Sequence, residues 1–296
     1  MKRKTVEKIL RGKFAQFLKS IEDKDLRKEV KNNSIITGGA IVSLLLNEKV
    51  NDFDVYFTNK QTVLKIAEYY RKILIKEDPA NQMIRIEDEF QDDKTDGRIK
   101  IVIPSLGIIR DKKIKKKKKF YPEILTDNAI SLSDDIQLII RFYGNPEQIH
   151  ENFDFIHVMS YWKSDDGKLY LNPDSVEAIL AKELRYRGSL YPLASMFRLR
   201  KFLTRGWTIT AGDIFKIGFQ VSKFDFSDPQ VMYDQLIGVD IHYFNTMIER
   251  IKSDLKEGKV KEVTSDYLSN LIEEIFHDSS EYYVDENGNY DEESDQ

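Results

Sequence analysis

Apolar residues recur at three- and four-residue spacing near the start of the chain, which is typical of an amphipathic helix. The spacing predicts one helix over residues 5–31, with apolar positions at Val6, Ile9, Leu10, Phe14, Phe17, Leu18 and Ile21. Shorter apolar runs follow, several of them alternating with polar residues as strands do. They predict strands at 34–37, 51–57, 99–103, 136–142 and 153–162, helices at 40–46 and 62–74, and a hairpin turn at 164–167.

From Pro173 onward the apolar period becomes that of helices. The helices predicted there lie at 175–184, 192–203, 213–221, 229–236, 243–255 and 266–276. We therefore expect an α/β domain with a mixed sheet over residues 1–172, followed by an all-α domain over 173–277. The remaining residues, 278–296, are acidic and are expected to form a disordered tail.

The composition excludes several classes of function. The chain has 296 residues, no cysteine and four scattered histidines, which excludes disulfide scaffolds, thiolate zinc sites and cysteine nucleophiles. No apolar stretch approaches the roughly 18 residues that a membrane span needs. The basic N-terminus is not followed by the apolar region of a secretory signal. We therefore expect a cytoplasmic protein with no membrane partner.

Charge is distributed unevenly along the chain. The net charge is −4, but the residues from Asp278 onward carry eight acids and no base, so the rest of the chain has a net charge of +4. The densest basic cluster comprises Lys112, Lys113 and Lys115–Lys119. Such a body is compatible with a polyanionic partner, although a lysine run is more often a solvated loop.

Two short motifs carry the chemistry. Gly38 and Gly39 lie where the first predicted strand turns into a helix, so a phosphate could approach the backbone and the positive end of the helix dipole. Asp52 and Asp54 follow on the next strand. Their side chains leave the same face, roughly 6.6 Å apart. Two carboxylates beside a phosphate-binding turn are suited to holding two Mg²⁺ ions for an in-line displacement.

The order Gly-Gly, apolar helix, Asp-Phe-Asp-Val resembles the signature of the DNA polymerase β-like nucleotidyltransferase superfamily. Within it, the bacterial-type CCA-adding enzymes and poly(A) polymerases are the most similar branch. The likeness covers roughly residues 34–205, which implies a palm-like nucleotidyltransferase domain over 1–172 and a helical neck after it. The second half also resembles nucleotidyltransferase-like proteins of tailed bacteriophages, which would place the chain in the host cytoplasm.

The resemblance implies roles for further residues. Asp154 stands where this branch has the aspartate that reads the nucleotide ribose, and it is also the best candidate for a third carboxylate. Lys182, Arg185 and Arg198 match the neck that meets the triphosphate or the base. Gly38 and Gly39, together with Ser43, are expected to cradle the β- and γ-phosphates.

The chain also departs from the branch. Val42 and Ser43 replace its usual Arg-Asp, and Asn152 and Phe153 replace both arginines of its Arg-Arg-Asp-Phe element. The Asp and Arg pair that selects ATP and CTP is not clear around residues 191–198. These losses leave a metal site plausible and weaken the case for CCA specificity.

Several candidate residues also have a purely structural interpretation. Asp154 could pair with Arg141. His157, alternating with Phe155 on the predicted strand, is more often a core residue than a base. Lys182 and Arg185, three apart on one predicted helix, could form a solvated face, as could Arg198, Lys201 and Arg205, which are expected to share one side of a helix. Tyr161 and Trp162 favour packing over base stacking.

Two classes of function follow. The first is an Mg²⁺-dependent nucleotidyltransferase that moves an NMP from an NTP to an acceptor hydroxyl and releases pyrophosphate. The simplest acceptor is an RNA or tRNA 3′ end; a protein hydroxyl or a small molecule remains open. The second is a catalytically inactive nucleotidyltransferase-fold protein that acts as a binding or assembly module, which the missing arginines favour.

Overall fold

The computed structural model describes residues 1–89, 98–102, 108–109, 119–226, 228–235 and 241–278. The chain divides into two compact units, residues 1–220 and 221–296. The change from strands to helices near residue 172 therefore falls inside the first unit. Across the described ranges, no helix has the length and apolar character needed to cross a membrane. The lysine cluster before Lys119 and the acidic tail after Asp278 lie outside the described residues.

The helices of the first unit are α1 (Arg3–Ser20), α2 (Lys24–Asn32), α3 (Gly39–Leu46), α4 (Lys60–Glu77), α5 (Pro146–His150), α6 (Pro173–Ala181), α7 (Pro192–Leu203) and α8 (Ala211–Val221), the last ending one residue beyond it. Its strands are β1 (Ser34–Thr37), β2 (Phe53–Phe57), β3 (Arg85–Glu89), β4 (Arg98–Val102), β5 (Ile108–Ile109), β6 (Pro122–Leu125), β7 (Ala129–Leu132), β8 (Ile136–Tyr143), β9 (Tyr161–Lys163), β10 (Leu169–Tyr170), β11 (Glu183–Leu184) and β12 (Thr208–Ile209). The second unit contains α9 (Pro229–Gln235), α10 (Ile241–Lys256) and α11 (Ser265–Asp278).

Eight of the described strands form one mixed sheet, in the order β10-β9-β1-β2-β8-β7-β6-β5. β2 and β8 are parallel, and the other neighbours in this sheet are antiparallel. The expected mixed α/β sheet is therefore confirmed. β2 lies inside the sheet, between β1 and β8, so its backbone is held on both sides.

The main core lies on one face of this sheet. Phe53, Val55 and Phe57 of β2 enter it together with apolar residues of α1 and α4. These alternate residues of β2 are almost fully buried, so residues 52, 54 and 56 point to the opposite face. The hydrophobic pattern thus fixes which face of β2 carries the aspartates.

The predicted helix 5–31 is wrong in one respect, because it is two helices. α1 ends at Ser20, and Ile21 has an extended backbone. Asp23 then caps α2, since its side chain accepts hydrogen bonds from the backbone N–H groups of Asp25 and Leu26. A capping aspartate offers the chain a turn that competes with a continuous helix.

The predicted strand 153–162 is also wrong over most of its length. Residues Ile156–Val158 form a short 3-10 helix, and only Tyr161–Lys163 is a strand. Side chains there bond to the backbone instead of leaving it to a strand: Ser175 donates to the His157 carbonyl at 2.6 Å. The hairpin at 164–167 is confirmed, since β9 and β10 pair across it.

Candidate functional site

The paired glycines form the turn that the sequence predicts. β1 ends at Thr37, and Gly38 is the N-cap of α3 with φ of 95° and ψ of −153°, a conformation that L-residues with a side chain avoid. The turn is tied down because the Gly38 N–H donates to the Val158 carbonyl at 3.3 Å. Gly39 begins the helix, is exposed, and has open space where a Cβ would stand.

The carboxylate of Asp54 lies directly against this turn. A Cβ built on Gly38 would stand 3.1 Å from Oδ2 of Asp54. The antiparallel pairing of Ile36 with Val55 accounts for this approach, because it carries the end of β1 past the start of β2. The glycine bend and the acidic strand therefore converge on one place.

Asp52 and Asp54 form an electrostatically strained pair. Burial and the nearby charge of Asp52 raise the pKa of Asp54 from 3.8 to about 8, and the cation of Lys201 opposes the rise. No hydrogen bond from a described residue stabilises the Asp54 carboxylate. Asp52, by contrast, is exposed just before β2 and has a polar partner. Carboxylate oxygens at this spacing are ligands that Mg²⁺ prefers.

A third carboxylate is not supplied by the neighbouring parallel strand. The register places Gln137 of β8 beside Asp54, and its amide donates to Ser131 at 3.3 Å. Among the residues that the structure describes, no group of three or more His, Asp or Glu side chains could hold a metal. The candidate metal ligands are thus the two aspartates predicted from the sequence.

Asp154 is buried and pairs with an arginine, but not with Arg141. Its Oδ2 accepts a hydrogen bond from Nε of Arg198 at 2.7 Å. Arg141 instead donates to the Asn128 side chain at 2.6 Å and to the Tyr191 hydroxyl at 2.7 Å. Two residues predicted to contact the nucleotide, Asp154 and Arg198, are therefore brought together, and each satisfies the other.

One side of α7 presents a row of cations to this region. Arg198 meets Asp154, the charge of Lys201 acts on Asp54, and Arg205, just after the helix, forms an ion pair with Glu48 in the segment that follows α3. Arg198 and Lys201 lie three residues apart on α7, whereas Arg205 lies beyond its last residue, Leu203. Lys201 was not among the residues assigned to the site from the sequence, although its position three after Arg198 was the available signal.

The prediction that Lys182 and Arg185 share a helix is wrong. α6 ends at Ala181, and Lys182 caps it in the left-handed conformation with φ of 50°. Arg185 follows the short strand β11 and forms ion pairs with Glu177 and Glu183, both at 2.8 Å. These carboxylates raise the pKa of Arg185 and hold its guanidinium. Lys182 is exposed at the surface.

Ser43 lies one turn inside α3, four residues after Gly39. It is buried, with 7% of its surface exposed. Its backbone carbonyl accepts a hydrogen bond from the N–H of Glu48 at 2.8 Å, which closes the C-terminal end of the helix. The predicted phosphate contact of Ser43 stays a prediction.

His157 is a core residue, on the 3-10 helix and not on a strand. Its ring contacts Phe202 and Trp207, with ring centroids 4.5 and 4.6 Å away. Burial lowers the pKa of His157 to about 3, so the ring is neutral at pH 7. Trp162 is likewise buried, edge-on to Phe14 at 5.4 Å, as the packing interpretation predicted.

The chain is similar to several solved structures and matches one protein family. Among solved structures, the chain is similar to the Thermotoga maritima CCA-adding enzyme complexed with tRNA, at 12% identity and a TM-score of 0.39 over 81% of this chain and 54% of that one. A tRNA-processing enzyme in its apo form matches at 12% identity and a TM-score of 0.40, over 88% and 58% of the two chains. A CCA-adding enzyme with CTP matches at 13% identity and 0.37, over 89% and 49%.

The chain thus spans about half the length of these enzymes. No curated protein sequence matches it significantly. The model of one protein family, described as Gabija anti-defense 2, matches residues 8–182.

The mixed sheet, the glycine turn that opens a helix and the two aspartates that converge on this turn define an α/β protein with one candidate site. Within this class, the family match covers more than half of the residues. The chain belongs to the Gabija anti-defense 2 family.

Proposed function

We propose that this protein transfers an NMP from an NTP to an acceptor hydroxyl and releases pyrophosphate. The single observation that carries the proposal is the approach of Asp54 Oδ2 to Gly38, 3.1 Å from a Cβ position there. It joins a backbone surface suited to phosphate with a carboxylate suited to a divalent cation.

The two aspartates fit Mg²⁺, with two ions the expected number. Burial and the nearby charge of Asp52 raise the pKa of Asp54, and no described hydrogen bond stabilises its carboxylate, so a divalent cation would favour the ionised form of both side chains. Bound Mg²⁺ would polarise the reacting phosphate and neutralise charge on the departing pyrophosphate.

The remaining residues would orient the nucleotide. The free N–H groups at the start of α3 and its dipole favour the β- and γ-phosphates near Gly38 and Gly39. Lys201 would add positive charge beside them. Arg198 and Asp154 form an ion pair with each other when no nucleotide is bound. Each would have to break this ion pair in order to contact the nucleotide. Arg185 is held by two glutamates and is the weakest of the proposed contacts.

The acceptor we favour is an RNA or tRNA 3′ hydroxyl. The solved structures similar to this chain include one complexed with tRNA and one with CTP. Incubation with each labelled NTP and either total RNA or a protein lysate would identify the acceptor. We expect the label in the RNA fraction. Label found only in protein or in small molecules would show that these, and not RNA, are the acceptor.

Asp52→Asn and Asp54→Asn test the chemistry. Each is expected to reduce transfer by about 100-fold or more, since the amide cannot replace an anionic metal ligand. Circular dichroism and thermal unfolding should show that both variants stay folded. Asp165→Asn, at an exposed aspartate in the β9–β10 turn, is the matched control and should keep full activity. Full activity in both site variants would refute the proposal.

The family description adds a biological setting: we propose that the activity serves to oppose Gabija. A non-catalytic binding role is the second candidate, favoured by Gln137 beside Asp54 and by the Asp154–Arg198 pair. Phage plating on Gabija-positive cells separates the two. If Asp54→Asn no longer protects the phage against Gabija, catalysis is supported. If both aspartate variants still protect the phage, a role in binding alone is supported.

A further inference from the structure

Tyr56 lies on the same face of β2 as the two aspartates, although the sequence patterns did not single it out. Phe53, Val55 and Phe57 occupy the core face, so Asp52, Asp54 and Tyr56 share the other. Tyr56 is two residues beyond Asp54, so their Cα atoms are roughly 6.6 Å apart along the strand. It is therefore the next side chain along the strand on the face that carries the candidate metal ligands.

The ring of Tyr56 is fixed by packing. Only 9% of the residue is exposed, and the ring contacts Phe153, with centroids 5.9 Å apart, within a small cluster that includes Ile35 and Ile149. Phe153 immediately precedes Asp154, which holds Arg198 at 2.7 Å. The phenol is close enough to both the aspartate pair and the Asp154–Arg198 ion pair for their charges to act on it.

The hydroxyl has no hydrogen-bond partner among the described residues. The hydroxyl oxygen is not among the buried side-chain atoms that lack a partner, so it reaches the protein surface, where a ligand can contact it. Asp54, Asp154 and Arg198 all act electrostatically on this group. A phenol hydroxyl is neutral at pH 7 and can both donate and accept a hydrogen bond.

We propose that Tyr56 is a specificity-determining residue whose hydroxyl hydrogen-bonds a ribose hydroxyl of the NTP. The inference rests on the proposed function, and it deepens that function by naming the part of the nucleotide that Tyr56 reads. In an NTP the sugar is bonded to the α-phosphate, so it is the group next to phosphates held at Gly38 and the aspartates. A neutral phenol suits a neutral sugar hydroxyl better than it suits the anionic phosphates.

Tyr56→Phe is the test, because it keeps the ring and its contact with Phe153 and removes only the hydroxyl. Transfer is measured with ATP, 2′-dATP and 3′-dATP, and nucleotide affinity is measured alongside by calorimetry. The variant should lower kcat/KM and affinity for ATP about three- to tenfold, the effect of one neutral hydrogen bond. It should leave unchanged the values for the deoxynucleotide that lacks the contacted hydroxyl.

An unchanged ATP value, or an equal loss with all three nucleotides, would overturn the proposal. Tyr70→Phe is the matched control: Tyr70 is fully buried in the core against Tyr69, and its variant should not alter sugar preference. Different results would refute the enzyme activity and the role of Tyr56. If Asp54→Asn abolishes transfer while Tyr56→Phe alters nothing, the enzyme proposal stands and the role of Tyr56 falls. If no transfer occurs, the calorimetric preference still tests Tyr56.

Discussion

At the scale of single residues, the most unusual group is the Asp54 carboxyl. Its pKa is about 8 in the folded chain and 3.8 in the unfolded one, so the folded state keeps a proton that the unfolded state loses between these values. Stability of the metal-free protein should therefore fall as pH rises from about 4 to about 8. Solvent screening of the partly exposed side chain limits the effect to about 1–2 kcal/mol.

Thermal or urea unfolding across this pH range, with a chelator present, measures the slope. Asp54→Asn should flatten it, because the amide has no proton to lose, and should be the more stable protein at pH 8. Adding Mg²⁺ should stabilise the unmodified chain more at pH 8 than at pH 6. A wild-type slope equal to that of the variant would show that Asp54 titrates normally.

The two glycines at the turn should respond differently to alanine. Gly38→Ala places a Cβ 3.1 Å from Asp54 Oδ2 in a conformation open almost only to glycine, and should cost about 1–3 kcal/mol of stability. Gly39→Ala meets open space in the first turn of a helix, so stability should hold or rise by about 0.5 kcal/mol.

Nucleotide binding shows whether Gly39 is needed for contact with phosphate or only for folding of the turn. If phosphate approaches the backbone at Gly39, its new methyl group should weaken ATP binding several-fold in calorimetry while the protein stays as stable as before. Undiminished affinity in Gly39→Ala would place the phosphates elsewhere.

At the scale of elements, α7 links the site together. Arg198 meets a buried Asp154, Lys201 acts on Asp54, and Arg205 meets Glu48. Phe202, on the same helix, packs edge-on to His157, whose neighbour Val158 accepts the Gly38 N–H. The helix and the glycine turn are thus joined through the 3-10 segment, so displacement of α7 should also disturb the turn.

Breaking the Asp154–Arg198 pair should show this coupling. Arg198→Met leaves Asp154 buried without its partner and should destabilise the chain by about 2–3 kcal/mol, less than for a fully buried pair because Arg198 is 32% exposed. Asp154→Asn should cost less, and the double variant should cost less than the sum of both. Additive losses in urea unfolding would mean that the two side chains do not interact in solution.

Local patterns predicted some elements well and others poorly, for identifiable reasons. β1 and α7 match their predicted bounds, because each is a continuous periodic run with a clear stop, at Gly38 for β1 and Pro192 at the start of α7. The metal candidates were predictable since strand alternation alone puts Asp52 and Asp54 on one face. The partner of Asp154 was not, because Arg198 is 44 residues away and only tertiary packing brings it there.

The predictions for residues 153–162 and 182–185 were wrong for a related reason. Phe155 and His157 have the alternation of a strand, yet side-chain hydrogen bonds and a bridge between Phe155 and Tyr186 set the backbone instead. Lys182 continues the helical pattern of α6, but it adopts the left-handed conformation and leads into pairing of β11 with β12. Local pattern carries no information about such long-range partners.

At the scale of the whole molecule, the candidate site belongs to a single unit. All of its residues, from the glycine turn to Arg205, lie within residues 1–220, as do the residues matched by the family model. The described strands of the eight-stranded sheet and the residues of its core lie in the same range. Binding of the nucleotide should therefore need only this unit. Recognition of the acceptor could involve residues of either unit.

A chain ending at residue 220 tests this division. It should fold cooperatively and bind ATP with an affinity within about threefold of the full chain, because a preformed site keeps its binding free energy when remote residues are removed. Transfer to RNA is the sensitive measurement: a fall in RNA transfer with unchanged ATP affinity would assign acceptor binding to residues 221–296. A fragment that folds but has lost ATP binding would instead show that the second unit completes the nucleotide site.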